Sequence, residues 1–242
     1  MPTSQPQPSQ LFVNKRLSVF FVPSLHYTLR SVPHNFTWLR IFLKMKTPET
    51  EQPVERHPLK PFVHADTRVL FLGSFPPPKA RWCMDFFYPN FINDHWRIEG
   101  LVFYQDKNYF VDEGARCFKL DLIVDHCLRM GIGFFDTATA VRRLAGNASD
   151  KFLEVVQPTD IRGLVRDCKM LRALVTTGTK ATETLCAQLN LTDMPKVGEC
   201  VLVPTLPGVS LFRLPSSSRA YPLSLEKKAE AYSRMFCKVG VL

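Results

Sequence analysis

Short apolar runs that alternate with helical patterns constrain the fold of this chain more than any other feature. Three runs after Thr67 have the length of buried strands, and each ends in a turn: residues 68–73 (RVLFLG), 131–136 (GIGFFD) and 171–177 (LRALVTT). Apolar residues at helical spacing lie between them, and a last helix is expected from about Ser224. This alternation predicts an α/β domain, a three-layer α/β/α sandwich with a mostly parallel central sheet.

Ligands of an open parallel sheet bind where loops leave the carboxyl ends of the strands. The segments that follow Leu72, Phe135, Thr177 and Leu214 are therefore the places where a site is expected. The tract 177–181 (TGTKA) has some likeness to a phosphate loop, but it lacks the first glycine and the closing Ser or Thr. It therefore does not predict ATP binding.

Residues 1–55 differ in composition from the rest of the chain. Residues 1–10 are rich in Pro, Gln and Ser and are expected to be disordered, and residues 11–44 contain no acidic residue. Three interpretations stay open: an organellar transit peptide, a membrane- or nucleic-acid-binding arm, or an extension upstream of a true start at Met45. We assign no function here and predict a single domain over residues 56–242.

The formal charge of +9 favours a polyanionic partner, nucleic acid first and an anionic membrane second. No run reaches the ~18 apolar residues that a membrane-spanning helix needs. Of the two polyanionic partners, we expect nucleic acid and not a membrane. The seven cysteines are scattered and form no CxxC pair, which is typical of reduced thiols in a bacterial-type cytoplasm. We expect a monomer that uses neither a metal nor a cofactor.

The first candidate segment is the turn Gly73-Ser74-Phe75 with the prolines after it, followed by Lys79 and Arg81. Glycine and proline make a rigid turn whose backbone approaches a ligand closely. The two cations suit phosphate groups. The alternative is a stiff connection between two elements with a solvated basic edge.

The second candidate segment combines aromatic side chains with amides, between Phe86 and Trp96. Phe87 and Tyr88 suit a flat heterocycle, because an aromatic ring stacks on it while an amide such as Asn93 binds its polar edge. The alternative is that the aromatic residues belong to the core and that Asn93 caps the following helix.

The third candidate is Asp136, which closes the apolar run 131–136. A carboxylate there is costly unless it is used or paired. The stretch after it offers Arg142 and Arg143 as phosphate contacts or as partners for that carboxylate. The alternative is that Asp136 caps a following turn.

The fourth candidate segment is the loop Ser216-Ser217-Ser218-Arg219. Its three hydroxyls and its cation suit a nucleic-acid backbone. The alternative is an ordinary serine-rich loop without a function in binding.

Taken in order, these segments resemble the uracil-DNA glycosylase superfamily over about residues 63–236, and most closely its hypoxanthine-DNA glycosylase-like branch. Residues 73–76 (GSFP) resemble the Gly-x-x-Pro of the first superfamily motif, and residues 214–218 (LPSSS) resemble its late Pro-Ser loop. Residues 88–97 (YPNFINDHWR) are similar to the aromatic-Pro-x-Asn-x-x-Trp-Arg segment of the branch. Residues 131–136 resemble the strand that ends in its base-recognising Asp.

The resemblance implies a monofunctional glycosylase of base-excision repair, which hydrolyses the N-glycosidic bond of uracil or hypoxanthine flipped out of DNA. It implies that Asp136 accepts a hydrogen bond from a ring N–H and that Asn93 positions the attacking water. The base-binding residues that it implies are Gly73, Ser74, Phe75, Phe87 and Tyr88. The DNA-binding residues that it implies are Lys79, Arg81, Arg142, Arg143, Ser216, Ser217, Ser218 and Arg219.

Three positions depart from the superfamily pattern. Phe75 stands where many members have a water-orienting Asp or Asn, Leu214 where some have a His that stabilises the departing base, and Ser218 where others have an intercalating Leu. Loss of one oriented polar group costs ~3 kcal/mol of barrier. Catalysis is therefore expected to depend on Asn93 and Asp136. The alternative is an inactive relative that binds DNA or senses lesions without releasing a base.

Overall fold

The computed structural model describes residues 52–145 and 150–242. The expectations for residues 1–51 (disorder, a transit peptide, a basic arm or a start at Met45) lie outside the described residues. In chain order, the strands and α-helices are β1 (Glu55–Arg56), β2 (Val69–Gly73), α1 (His95–Tyr104), β3 (Val111–Asp112), β4 (Cys117–Phe118), α2 (Leu120–Met130), β5 (Ile132–Asp136), β6 (Ala138–Arg143), β7 (Leu153–Pro158), α3 (Ile161–Leu164), β8 (Ala173–Thr176), α4 (Thr179–Leu189), β9 (Cys200–Leu202), β10 (Ser210–Arg213) and α5 (Leu225–Lys238).

The main sheet has five strands in the order β5-β2-β8-β10-β9. The pairs β5–β2, β2–β8 and β8–β10 are parallel, and β9 pairs antiparallel with β10. The register sets Gly73 beside Asp136, and it sets Thr176 beside both Leu72 and Arg213. The carboxyl ends of four strands therefore meet at one edge. The expected α/β class is confirmed, and the three-layer arrangement stays a prediction.

Burial explains why the three apolar runs become β2, β5 and β8. Val69 and Leu70 are fully buried, and the ring of Phe71 stacks on the ring of Phe134 from β5 at a centroid distance of 5.5 Å. Helix α1 packs against α5 and contributes the fully buried Trp96 to the same core. Helix α5 begins as expected, since Oγ of its N-cap Ser224 accepts the backbone N–H of Lys227.

A second, antiparallel sheet of three strands in the order β1-β6-β7 was not expected. Strand β6 has no clear strand pattern in the sequence, because two register shifts interrupt the alternation of buried and exposed positions along it. Strand β1 lies at the expected domain boundary and pairs Glu55 with Val141. Helix α3, which follows β7, is a single turn over Ile161–Leu164.

Two further features bear on the expected class of protein. Within residues 52–145 and 150–242, no helix combines the length and the hydropathy that crossing a bilayer requires. All seven cysteines lie in these ranges and have free thiols, of which those of Cys127, Cys168 and Cys186 are buried and that of Cys237 is exposed.

Candidate active site

A cavity of about 750 Å³ opens at the edge where the four parallel strands end. The loops after β2, β5, β8 and β10 all contribute to its wall. The residues from the sequence analysis that line it are Gly73, Ser74, Phe75, Arg81, Phe87, Tyr88, Asn93, Asp136, Ser216, Ser217 and Ser218. The expectation that the strand-end segments come together is therefore met, although the role of each residue stays a prediction.

Asp136 is the last residue of β5, and its carboxylate is held by His57. Nε2 of His57 lies 2.9 Å from Oδ2 of Asp136, and the two side chains are only 3% and 10% exposed. On the other side of the imidazole, Nδ1 lies 2.9 Å from the backbone oxygen of Leu59 and 3.1 Å from its nitrogen. The backbone carbonyl of Asp136 accepts the hydroxyl hydrogen of Thr159 at 2.7 Å. Side chain and backbone of Asp136 are therefore both fixed.

Gly73 allows the carboxylate of Asp136 to approach the end of β2. A Cβ atom at position 73 would overlap Oδ1 of Asp136. The glycine of the first motif is therefore required by this close approach of a side chain to the backbone. One carboxylate oxygen packs against Gly73 while the other contacts His57.

Phe75 is 9% exposed and belongs to a small apolar cluster with Val141 and Leu153. Its ring meets the imidazole of His57 edge-on at a centroid distance of 5.4 Å, and the guanidinium of Arg143 lies 5.6 Å from its centroid. A phenyl ring at this position cannot orient water. It packs instead against the histidine that holds Asp136.

A second carboxylate, that of Asp150, also lines the cavity. Oγ of the buried Ser74 donates a hydrogen bond to Oδ2 of Asp150 at 2.8 Å. Asp150 is exposed to solvent as a residue, yet desolvation of its carboxyl group is the largest influence on its pKa and raises it. The negative charge of Asp136 raises it further, while Arg143 and Lys180 act in the opposite direction. The cavity therefore contains two carboxyl groups in different surroundings.

Tyr88 and Phe87 both line the cavity, and the side chain of Tyr88 is partly exposed whereas that of Phe87 is buried. Tyr88 has a φ of 50°, and its ring stacks on His95 at 3.7 Å with an interplanar angle of 9°. Burial raises the pKa of the Tyr88 hydroxyl. Phe87 is buried and stacks on Phe134 at 5.7 Å, so it also serves the core, as the alternative interpretation proposed.

Asn93 lines the cavity directly before α1. Its Oδ1 accepts the backbone N–H of His95, the first residue of α1, at 2.9 Å, but the N-cap residue of this helix is Asp94 and not Asn93. The amide also faces the cavity, and its role in positioning water stays a prediction.

The serine loop (Ser216, Ser217 and Ser218) is tied to the start of α1 by an ion cluster in which Asp94 and Lys228 are buried and Arg219 is exposed. Asp94 lies 2.9 Å from Nε of Arg219 and 3.4 Å from Nζ of Lys228, which is only 1% exposed. The same Nζ donates to the backbone oxygen of Ser218 at 2.8 Å, and the backbone N–H of Asp94 donates to Ser217 at 3.0 Å. Arg219 thus anchors the loop.

Four expected DNA contacts are not among the residues that line the cavity, and each has an acidic neighbour. Lys79 pairs with Asp85 at 2.6 Å, Arg142 with Glu154 at 3.6 Å, Arg143 with Glu55 at 3.0 Å and Arg219 with Asp94 at 2.9 Å. Arg143 is buried and also donates to the backbone oxygen of Pro76 at 2.6 Å, so it supports the turn after β2 from inside the protein. Arg81 is exposed and lines the cavity, and its contact with a phosphate stays a prediction.

No family model and no curated protein matches the chain. Among solved structures, the solution NMR structure of a "putative Uracil DNA glycosylase" from Methanosarcina acetivorans is similar over 78% of this chain and 99% of its own, with a TM-score of 0.54 and 19% identity. The two proteins share a fold. The similarity shows the fold alone, so membership of the uracil-DNA glycosylase superfamily and of its hypoxanthine-like branch stays a prediction.

The sequence analysis missed three residues of the site. His57 lies upstream of the segment that carries the resemblance, and nothing in its neighbourhood marks it as a partner of Asp136. Asp150 follows a polar stretch that was considered only for its arginines. Lys180 lines the cavity from a tract that was rejected as a phosphate loop. Among the described residues, no group of three or more His, Cys, Asp or Glu side chains has an arrangement that could hold a metal ion.

Proposed function

We propose that the protein is a monofunctional DNA glycosylase that hydrolyses the N-glycosidic bond of a deaminated base, uracil or hypoxanthine, flipped out of DNA. One observation carries the proposal: Asp136 lies in the cavity with Oδ2 held by His57 at 2.9 Å. In this proposal Oδ1, which packs against Gly73, accepts a ring N–H of the base. Uracil and hypoxanthine carry such an N–H on their pairing edge, whereas cytosine and adenine do not.

The size and walls of the cavity agree with an extrahelical nucleotide. Its volume of about 750 Å³ lies within the range of ligand sites, roughly 300–1,000 Å³. Tyr88 offers an aromatic surface beside the carboxylate of Asp136. A protein of the same fold carries the name of a uracil DNA glycosylase. The proposal includes a three-layer α/β/α sandwich. It also includes membership of the hypoxanthine-DNA glycosylase-like branch, because residues 88–97 are similar to the aromatic-Pro-x-Asn-x-x-Trp-Arg segment of that branch.

DNA as the partner is supported by charge. The chain carries +9 in formal charge, and Arg81 and Lys180 both line the cavity. Binding that depends on such cations releases counterions from the DNA. This release contributes less free energy as the salt concentration rises, so the affinity falls. We propose a cytoplasmic monomer that works without metal or cofactor.

The test is a single-turnover excision assay with the full chain. Duplex and single-stranded oligonucleotides carry uracil, hypoxanthine, xanthine or a G·T mismatch, and alkali-sensitive sites report base release. Release at one lesion that is lost in Asp136→Ala and in Asn93→Ala, but kept in the exposed-site control Asp193→Ala, supports the proposal. Absence of release at every lesion contradicts it.

The second candidate is a relative that binds lesions without releasing a base. It is favoured by the hydrogen bond that Asn93 already accepts from His95 and by the phenyl ring at position 75. Salt-dependent binding to lesion-bearing DNA without release would support this candidate. Absence of both binding and release would exclude both functions.

A further inference from the structure

The proposed reaction lacks a group that takes the proton of the attacking water. The ring of Phe75 cannot do this, and the amide of Asn93, whose Oδ1 accepts the N–H of His95, can orient a water molecule but is not a base. Asp136 is held by His57 and Gly73 for contact with the base. A glycosylase with this cavity therefore needs another acceptor.

Asp150 has the placement for this role. Its carboxylate lines the same cavity, and Oδ2 accepts the hydroxyl hydrogen of Ser74 at 2.8 Å. Ser74 is the neighbour of Phe75, so the carboxylate lies beside the turn after β2. Among the described residues, the hydrogen bond from Ser74 is the only one that reaches this carboxylate, which leaves Oδ1 for a water molecule in the cavity.

The turn after β2 therefore positions two carboxylates through two consecutive residues. Gly73 accommodates Oδ1 of Asp136, and Ser74 donates to Oδ2 of Asp150. Since the two groups reach the cavity from different loops, one can face the base while the other faces the sugar. Pairs of carboxylates in different surroundings are the usual means of dividing such roles.

We propose that Asp150 is the general base that activates water in the proposed glycosylase reaction. The inference rests on the proposed function. The C1′–N bond breaks and its electron pair leaves with the base, while the oxygen of water forms the new bond to C1′. The proton that water loses passes to the Asp150 carboxylate and then to solvent, and the departing base anion takes up a proton from solvent.

Asp150→Asn separates this role from a structural one. The amide oxygen of Asn can still accept the hydrogen bond of Ser74, so a residue that only supports the loop is largely replaced by it. A general base is not replaced, and its loss typically slows the chemical step by about 100-fold or more. Asp193→Asn, which makes the same change of charge at an exposed position, is the matched control.

The experiment compares the full-length wild type with Asp150→Asn, Asp150→Glu and Asp193→Asn. Single-turnover release is measured on the lesion that the wild type processes, and affinity is measured on the same duplex with a 2′-fluoro nucleotide, whose glycosidic bond resists hydrolysis. We expect a loss of about 100-fold in rate for Asp150→Asn at unchanged affinity, with partial recovery in Asp150→Glu and no change in Asp193→Asn.

The outcomes distinguish the two proposals. Base release by Asp150→Asn at the wild-type rate overturns the role of Asp150 and leaves the proposed function standing. A parallel loss of rate and affinity also overturns it, because that result assigns Asp150 to binding. A wild-type protein that releases no base overturns the proposed function and, with it, this inference.

Discussion

Nε2 of His57 lies 2.9 Å from Oδ2 of Asp136, and this contact joins positions that are 79 residues apart in the chain. His57 directly follows β1, and its backbone N–H donates to the oxygen of Thr139 at 2.8 Å. The small antiparallel sheet thereby places the imidazole beside the end of the main sheet. Since both side chains are nearly inaccessible, water competes little for the contact. The second sheet thus orients the carboxylate of the candidate site.

Replacement of His57 should affect stability and base release together. His57→Leu leaves Oδ2 of Asp136 without this donor, which we expect to cost about 1–3 kcal/mol of unfolding free energy and to slow excision. His57→Gln keeps an N–H donor and should retain more of both. Urea unfolding and single-turnover release measure the two effects. Equal rates and stabilities in the two variants would show that the hydrogen bond is unimportant.

Gly73→Ala tests the close approach at the end of β2. The added methyl group would occupy the space of Oδ1 of Asp136, so the carboxylate must turn away from its position. We expect loss of base release and of preference for lesion-bearing over undamaged DNA. In the control Gly114→Ala, the nearest atom to the new Cβ is Oδ1 of Asp112 at 3.4 Å, so release should persist. Normal release by Gly73→Ala would contradict the assigned role of Asp136.

Apolar runs and a helix-capping residue in the sequence predicted several strands and the last helix correctly. Strands β2, β5 and β8 are apolar because they are buried, and Ser224 begins α5 through a hydrogen bond within four residues. The loops at the carboxyl edge followed from the parallel pairing, so the predicted Asp136 and Tyr88 were found in one cavity. These inferences required periodicity and the rule for parallel sheets, and no knowledge of distant contacts.

The remaining parts of the site depend on tertiary contacts that have no local signal. Strand β6 was missed because register shifts interrupt its alternation, and with it the sheet that positions His57. The ion pair of Arg143 with Glu55 spans 88 residues, so the sequence suggested a phosphate contact or a partner for Asp136, whereas the buried Arg143 pairs with Glu55. Asp150 was overlooked for the same reason, since its partner Ser74 lies 76 residues away.

Lys228→Met tests the ion cluster under the serine loop. Nζ of Lys228 compensates the carboxylate of Asp94 and the backbone oxygen of Ser218 in a buried place. Without the ammonium group of Lys228, the carboxylate of Asp94 and the backbone oxygen of Ser218 lose this partner. The free energy of unfolding should therefore fall by about 1–3 kcal/mol. The matched control is Lys227→Met, because Lys227 is the exposed neighbour on the same helix. Urea unfolding measures both variants, and equal stabilities would show that the cluster contributes nothing.

Acid should destabilise the protein through His95, the first residue of α1, which is fully buried and stacks on the ring of Tyr88. Burial, and secondarily the charge of His126, lowers its pKa well below the usual value of 6.5. Below pH 6.5 the unfolded chain therefore binds a proton that folded His95 does not, so the stability contributed by neutral His95 is lost as the pH falls. The nearby Glu99 has a pKa that burial raises, and its contribution has the opposite sign.

His95→Phe isolates this effect, because a phenyl ring can keep the stacking on Tyr88 without titrating. The stability of the wild type relative to the variant should fall by about 1 kcal/mol when the pH decreases by one unit from the unperturbed histidine value. Denaturant titrations of both proteins above and below that value give the difference, in which the other titrating groups largely cancel. If the stability difference between the two proteins does not change with pH, folded His95 binds a proton as readily as the unfolded chain does. The burial of His95 would then make no contribution to acid denaturation.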